Sequence, residues 1–161
     1  MPSPHRHAAH VDPQHTAQAF LTTSSTDRLG CYSRPFTAGP ARVLRHEHTA
    51  DLLILSMSGE LDTIAAPLLQ RELTEDLPDC TVLDLSKVTF LGVAGLRALE
   101  AAAARARRER RRFALVTSSP TDLRILRIFA LDVHVPVYPR LADAVREICS
   151  QRPPRDSKRF S

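Results

Sequence analysis

Thr81-Val82-Leu83-Asp84-Leu85 is the stretch whose reading decides the fold. It combines β-branched and apolar residues, with the Pro78-Asp79 turn signal before it and Ser86 after it. Such a run suits a strand at the centre of a sheet, buried on both faces. Working outward, a loop over 87–92 leads to a long helix over 93–110, with Leu96, Leu99 and Ala103 on its inner stripe and alanines that permit close packing. Residues 113–116 then form another apolar strand. In the other direction, Asp62 or Thr63 caps a helix that carries Pro67 in its tolerant first turn and Leu68, Leu69 and Leu73 on one face. Before it, a strand beginning at Val43 and Leu44, a turn at 48–50 and a strand over 52–57 make a hairpin that Gly59 ends.

Toward the C-terminus, Ser119, Pro120 and Asp122 are a helix start: a capping hydroxyl, a proline at the first helical position and an acid in the first turn. Leu123, Leu126 and Phe129 are expected on its buried side. Val133, Val135 and Val137 alternate as a short edge strand, which makes His134 a strand-surface residue, and Leu141, Ala144, Val145 and Ile148 form the stripe of a last helix. The order β-β-α-β-α-β-α-β-α predicts a single α/β domain, with a mixed, mostly parallel sheet of about five strands and about four helices. The expected division is a flexible leader over 1–38, the domain over 39–150, and a basic tail over 151–161.

A chain of 161 residues, 43% of them hydrophobic, supplies one core of ordinary size. No stretch reaches the roughly 20 apolar residues of a membrane span, and His and Pro stand where a secretory signal would be apolar, so the cytosol is the expected location. Cys31, Cys80 and Cys149 are too scattered for a metal knuckle or a closed disulfide set, and reduced thiols are expected. His5, His7, His10 and His15 have no cysteine or carboxylate cluster to complete a metal shell. The formal charge of +4 is concentrated in the tail, at Arg152, Arg155, Lys158 and Arg159, and in Arg105, Arg107, Arg108, Arg110, Arg111 and Arg112. The latter run reads as the solvated end of a helix, because helix C-termini attract cations. Glu109 interrupts it and no aromatic residues offer base stacking, which argues against nucleic acid. Asp84 and Ser86 lie at the end of a strand, where ligands collect in open α/β sheets. They have no histidine close in sequence, and the chain lacks GxSxG, GxxxxGK[ST] and HExxH, so no catalytic residue, metal or cofactor is expected.

The segments Ser58-Gly59-Glu60-Leu61-Asp62, Val82-Leu83-Asp84-Leu85-Ser86 and Phe90-Leu91-Gly92-Val93-Ala94-Gly95-Leu96, in this order and at these separations, closely resemble the bacterial STAS domain. Ser119-Pro120, Ile128-Phe129-Ala130-Leu131-Asp132 and the stretch 138–144 extend the resemblance over about 41–149. It implies an antagonist that binds an anti-sigma factor, itself a serine kinase, and so frees a sigma factor until phosphorylation of the antagonist ends the binding. The family's acceptor stretch, Asp-Ser-(Ser/Ala/Thr)-Gly at the start of the second helix, here reads Gly92-Val93-Ala94-Gly95 and has no hydroxyl; Ser86 and Thr89 are weak substitutes. The expected partner-binding residues are Gly59, Glu60, Leu61 and Asp62, Asp62 serving also as a cap, together with Gly92, Val93, Ala94, Gly95 and Leu96. Arginine at Ala94 or Gly95 is expected to abolish binding without unfolding the domain. The alternatives are a sensor of a small anion or nucleotide at the same helix start, or a scaffold in a signalling assembly; oligomeric state is left open.

Overall fold

The computed structural model describes residues 33–150, and the 81–85 run lies where its composition requires. Strand β4 (Cys80–Leu91) runs parallel to β3 (Leu52–Leu61) on one side and to β5 (Arg112–Val116) on the other. Val82 and Leu83 point to opposite faces, and both are fully buried. Strand β2 (Ala41–Thr49) pairs antiparallel with β3, β1 (Ser33–Ala38) antiparallel with β2, and β6 (Val137–Tyr138) parallel with β5. The result is one six-stranded sheet in the order β1-β2-β3-β4-β5-β6.

Helices α1 (Ala66–Thr74), α2 (Val93–Arg108), α3 (Pro120–Ile128) and the short α4 (Leu131–His134) connect the parallel strands. Right-handed crossovers advancing in one direction put these connections on a single face. There Leu69, Leu99 and Leu126 pack on Leu53, Leu55, Leu83 and Leu115. The other face is covered by α5 (Leu141–Ser150), whose Ala144 and Ile148 pack on Ile54, Val82, Ala114 and Val116. The single α/β domain with a mixed, mostly parallel sheet is as expected. Among the described residues no helix is long and apolar enough to cross a membrane.

Four expectations are corrected. The sheet begins at Ser33 rather than near Ala41: 33–38, assigned above to the leader, form a strand that turns back at Gly39, whose φ is 60°. The rest of that leader, with its histidines and Cys31, and the basic tail lie outside the described residues. Residues 87–91 are strand rather than loop; β5 stops pairing at Asp84, but two register shifts let β4 continue along β3 as far as Leu61 opposite Leu91. The valine alternation at 133–137 is not one strand. Leu131 and Val135 are buried while Val133 is 75% exposed, and the Val135 amide donates to the Leu131 carbonyl at 2.9 Å, which is helical spacing. His134 therefore lies on a helix surface, and Phe129, beyond the last turn of α3, is about half exposed instead of buried.

The fourth correction concerns the arginine run, which is only partly solvated. Arg105 donates from Nη1 to the carbonyls of Leu73 (2.8 Å) and Thr74 (2.9 Å), so it closes the C-terminal end of α1, and its Nε pairs with Glu109 at 2.7 Å. Arg112 Nη1 donates to the Ile148 carbonyl in α5 at 2.7 Å. Carbonyls in a helix's last turn have no partner within the helix, and a guanidinium satisfies them with favourable charge.

Candidate protein-docking surface

Where β3 runs into α1, and β4 into α2, the chain makes two adjacent turns. The Gly92 amide donates to the Leu61 carbonyl at 2.9 Å, joining the turns directly. Asp62 organises the first of them. Its Oδ1 accepts from the amides of Ile64 (2.9 Å) and Ala65 (3.0 Å), and its carbonyl accepts from Ala66 at 2.9 Å. The cap expected of Asp62 thus operates one turn before the helix proper, whose N-cap position is Ala65, without a side-chain bond. Gly95 fixes the second turn: a Cβ there would stand 2.5 Å from Leu61 Cγ and 2.8 Å from the Leu61 carbonyl oxygen, so only a hydrogen fits. Gly59, at φ 87°, lies equally close to Pro40, whose carbonyl oxygen would be 2.6 Å from an added Cβ.

The two expected segments, 59–62 and 92–96, therefore converge, and their residues divide into two sets. Leu61, Gly95 and Leu96 are buried, so they hold the turns together and offer no side chain to a partner. Glu60 and Val93 are exposed; Gly59, Asp62, Gly92 and Ala94 are half-buried. The expectation that Gly95→Arg leaves folding intact is corrected by the contact with Leu61, while Ala94 is half-buried and lines an open depression.

Three exposed large apolar side chains on the two joined turns give this surface its apolar character: Val93 (55%), which was among the expected contact residues, and Ile64 (69%) and Phe90 (53%), which sequence reasoning missed. Next to them, Thr63, Ala66, Pro67 and Gln70 of the α1 side face Val93, Ala94 and Arg97 of α2 across a shallow depression. Phe90 was legible only as part of a motif, because a phenylalanine ahead of a helix reads equally well as core. Ser86 and Thr89 are exposed on β4 and do not line the depression; the Ser86 amide donates to Asp84 Oδ1 at 2.9 Å. Among the described residues no group of three or more His, Cys, Asp and Glu side chains could hold a metal ion. An apolar patch with Arg97 and Glu60 nearby can bind by excluding water and by charge complementarity, and clustered exposed apolar residues mark such surfaces.

Comparison with known proteins agrees with this geometry. Residues 43–144 match the family model of the STAS domain. The chain is 33% identical over 95 residues to the anti-sigma-F factor antagonist RsfB of Mycobacterium tuberculosis, a match spanning 57% of this chain and 77% of that one. The crystal structure of an anti-sigma factor antagonist from Mycobacterium paratuberculosis superposes with a TM-score of 0.63 at 33% identity, covering 68% of this chain and 94% of that chain. The Bacillus cell fate determinant SpoIIAA in its phosphorylated form shares the fold at 12% identity, with a TM-score of 0.53 over 73% of this chain and 99% of that one. With the matched stretch running from the second strand into the last helix and the motif-bearing turns meeting in space, the chain belongs to the STAS domain family.

Proposed function

We propose that this protein is an anti-sigma factor antagonist that acts in the cytoplasm by binding, without catalysis, an anti-sigma factor of the serine-kinase type and so releases a sigma factor. The observation that carries this hypothesis is the exposure of Ile64, Phe90 and Val93 on two turns locked together by the Gly92–Leu61 hydrogen bond. The likeness to the two mycobacterial antagonists supports it. Glu60, Asp62, Gly92 and Ala94 complete the contact face, and Gly59, Leu61, Gly95 and Leu96 shape it from beneath. Apolar side chains around the start of α2 favour a protein partner over an anion or nucleotide there.

Val93 and Ala94 have no hydroxyl, so binding at this turn has no covalent off-switch. A phosphate at this helix start would place about two negative charges on an apolar contact face, and this sequence avoids that outcome. The test is a pull-down from the native host followed by titration of the captured anti-sigma factor against variants. Val93→Glu and Phe90→Ala are expected to weaken binding by about 10-fold or more with melting temperatures close to the parent. Binding unchanged by both would remove this face from the interaction. Incubation with ATP and the captured kinase is expected to leave the protein unlabelled; stoichiometric phosphate on Ser86 or Thr89 would end the claim of an unswitched antagonist.

A further inference from the structure

The far end of α2 borders a second concave site. A 16-residue helix is about 24 Å long, so this site and the docking face lie at opposite ends of the helix. The pocket, of about 190 Å³, opens between the end of α2, the start of β5, the α4–β6 connection and the end of α5. Arg107, Arg111 and Arg112 line it, with no aspartate or glutamate among the lining residues. Its apolar wall comes from Ala106, Phe113, Val135 and Ile148, all buried. Tyr138 also lines it; burial pushes its phenol above the ordinary value, and the charge of Glu147 adds to this, so at neutral pH it remains a hydrogen-bond donor.

Helix-end chemistry accounts for only part of this set. Arg112 is engaged with the Ile148 carbonyl, and Arg111 Nε pairs with Glu109 Oε2 at 3.1 Å. The hydrogen bond from Arg105 holds Glu109 below the usual carboxylate range, so that acid stays ionised between the two arginines. Arg111 Nη1 is left over: it is shielded from solvent and has no hydrogen-bond partner. A shielded guanidinium N–H without an acceptor is unfavourable, and an anion that reaches it as the side chain adjusts would relieve that cost.

We propose that this pocket binds a small organic oxyanion, a carboxylate or phosphate head held by Arg111 and Arg107 on an apolar body no larger than one aromatic ring, set against Phe113 and Val135. Size fixes the upper limit, since a dry cavity of about 150 Å³ holds a benzene ring, whereas drug-sized ligands need about 300 Å³ or more. The apolar wall fixes the second element, because a bare inorganic ion would leave that wall unused.

The test is an NMR titration of the full-length protein with three probes: phenyl phosphate, benzoate and inorganic phosphate. Phenyl phosphate or benzoate is expected to give saturable shifts in the amides of 106–113 and 134–138 and in the Arg111 side chain. Inorganic phosphate should bind about 10-fold more weakly than the better of the two, and Arg111→Gln should weaken that probe by about 10-fold with an unchanged melting temperature. Whichever organic probe binds more tightly names the head group. Absence of saturable shifts up to about 10 mM overturns the proposal, as do shifts centred on 62–64 and 93–97 or inorganic phosphate binding as tightly as the organic probes. Unchanged binding by Arg111→Gln also overturns it. Should that variant not fold, Arg107→Gln takes its place, and the location of the shifts in the unaltered protein decides independently.

Discussion

Among the described residues, two hold a left-handed backbone without being glycine: Arg110 at φ 54°, just past α2, and Ala130 at φ 53°, just past α3. Arg110 closes a helix-end motif in which the Arg111 amide reaches the Ala106 carbonyl at 2.8 Å and its own amide reaches Arg107 at 3.2 Å. A Cβ is disfavoured in this conformation, so Arg110→Gly and Ala130→Gly are each expected to raise stability by about 0.5–1 kcal/mol, measured by urea denaturation. Gly95→Ala should do the reverse, losing at least about 1 kcal/mol as Leu61 is pushed aside. Partial burial of His46 holds its imidazole below the ordinary 6.5, so the folded chain prefers the neutral ring. The unfolded chain then takes up the proton first, and this contribution, complete above pH 6.5, is lost as pH falls below it. The urea midpoint is therefore expected to drop between pH 7.5 and 5.5 by more in the parent than in His46→Gln. At this scale the sequence was legible where chemistry is local: Ser119 caps α3 by accepting from the Asp122 amide, as its position before Pro120 implied. It was silent where the backbone imposes a conformation on an ordinary side chain, because nothing about an alanine or an arginine announces a positive φ.

Among elements, periodicity identified the central strands and the two long helices, and it failed where two periods fit the same residues. Valines at 133, 135 and 137 satisfy an alternating rule, yet Leu131 and Val135 satisfy a helical one, and burial of that pair decided the outcome. The extension of β4 to Leu91 was hidden for another reason. Ser86, Lys87 and Thr89 are exposed, and it is the pairing of Lys87, Val88, Phe90 and Leu91 with β3 that makes the segment strand. Strand β1 belongs to the same class, since its neighbour on one side is β2 and its other edge adjoins no described strand. The docking turns were legible as motifs, but which of their side chains face outward was not, because that depends on Leu61 filling the space beneath Gly95. Arg105 gives a prediction at this scale. Its replacement by alanine removes the donors to Leu73 and Thr74, and is expected to cost about 1–2 kcal/mol and to speed amide exchange across the last turn of α1.

For the whole molecule, the two faces of the sheet are unequally protected. Among the described elements, α5 alone packs on the face formed by Ile54, Val82, Ala114 and Val116. A chain ending after Arg140 is expected to expose that face, bind a hydrophobic dye and aggregate, with the loss of cooperative melting as the readout. Composition and strand order foretold the sheet, its covering helices and the edge position of the last strand, whereas the packing of the last helix on the opposite face was not read from the sequence. The guanidinium of Arg105 ties the closing turn of α1 to α2, while the opening halves of the same two helices border the depression beside Val93. A brace at one end of a helix pair limits how far the other end can splay. The proposed contact face is thus preorganised: little ordering entropy remains to be lost when a partner arrives, so capture should proceed as a single-step encounter at a rate set by collision and charge, with no slow adjustment phase in stopped-flow traces.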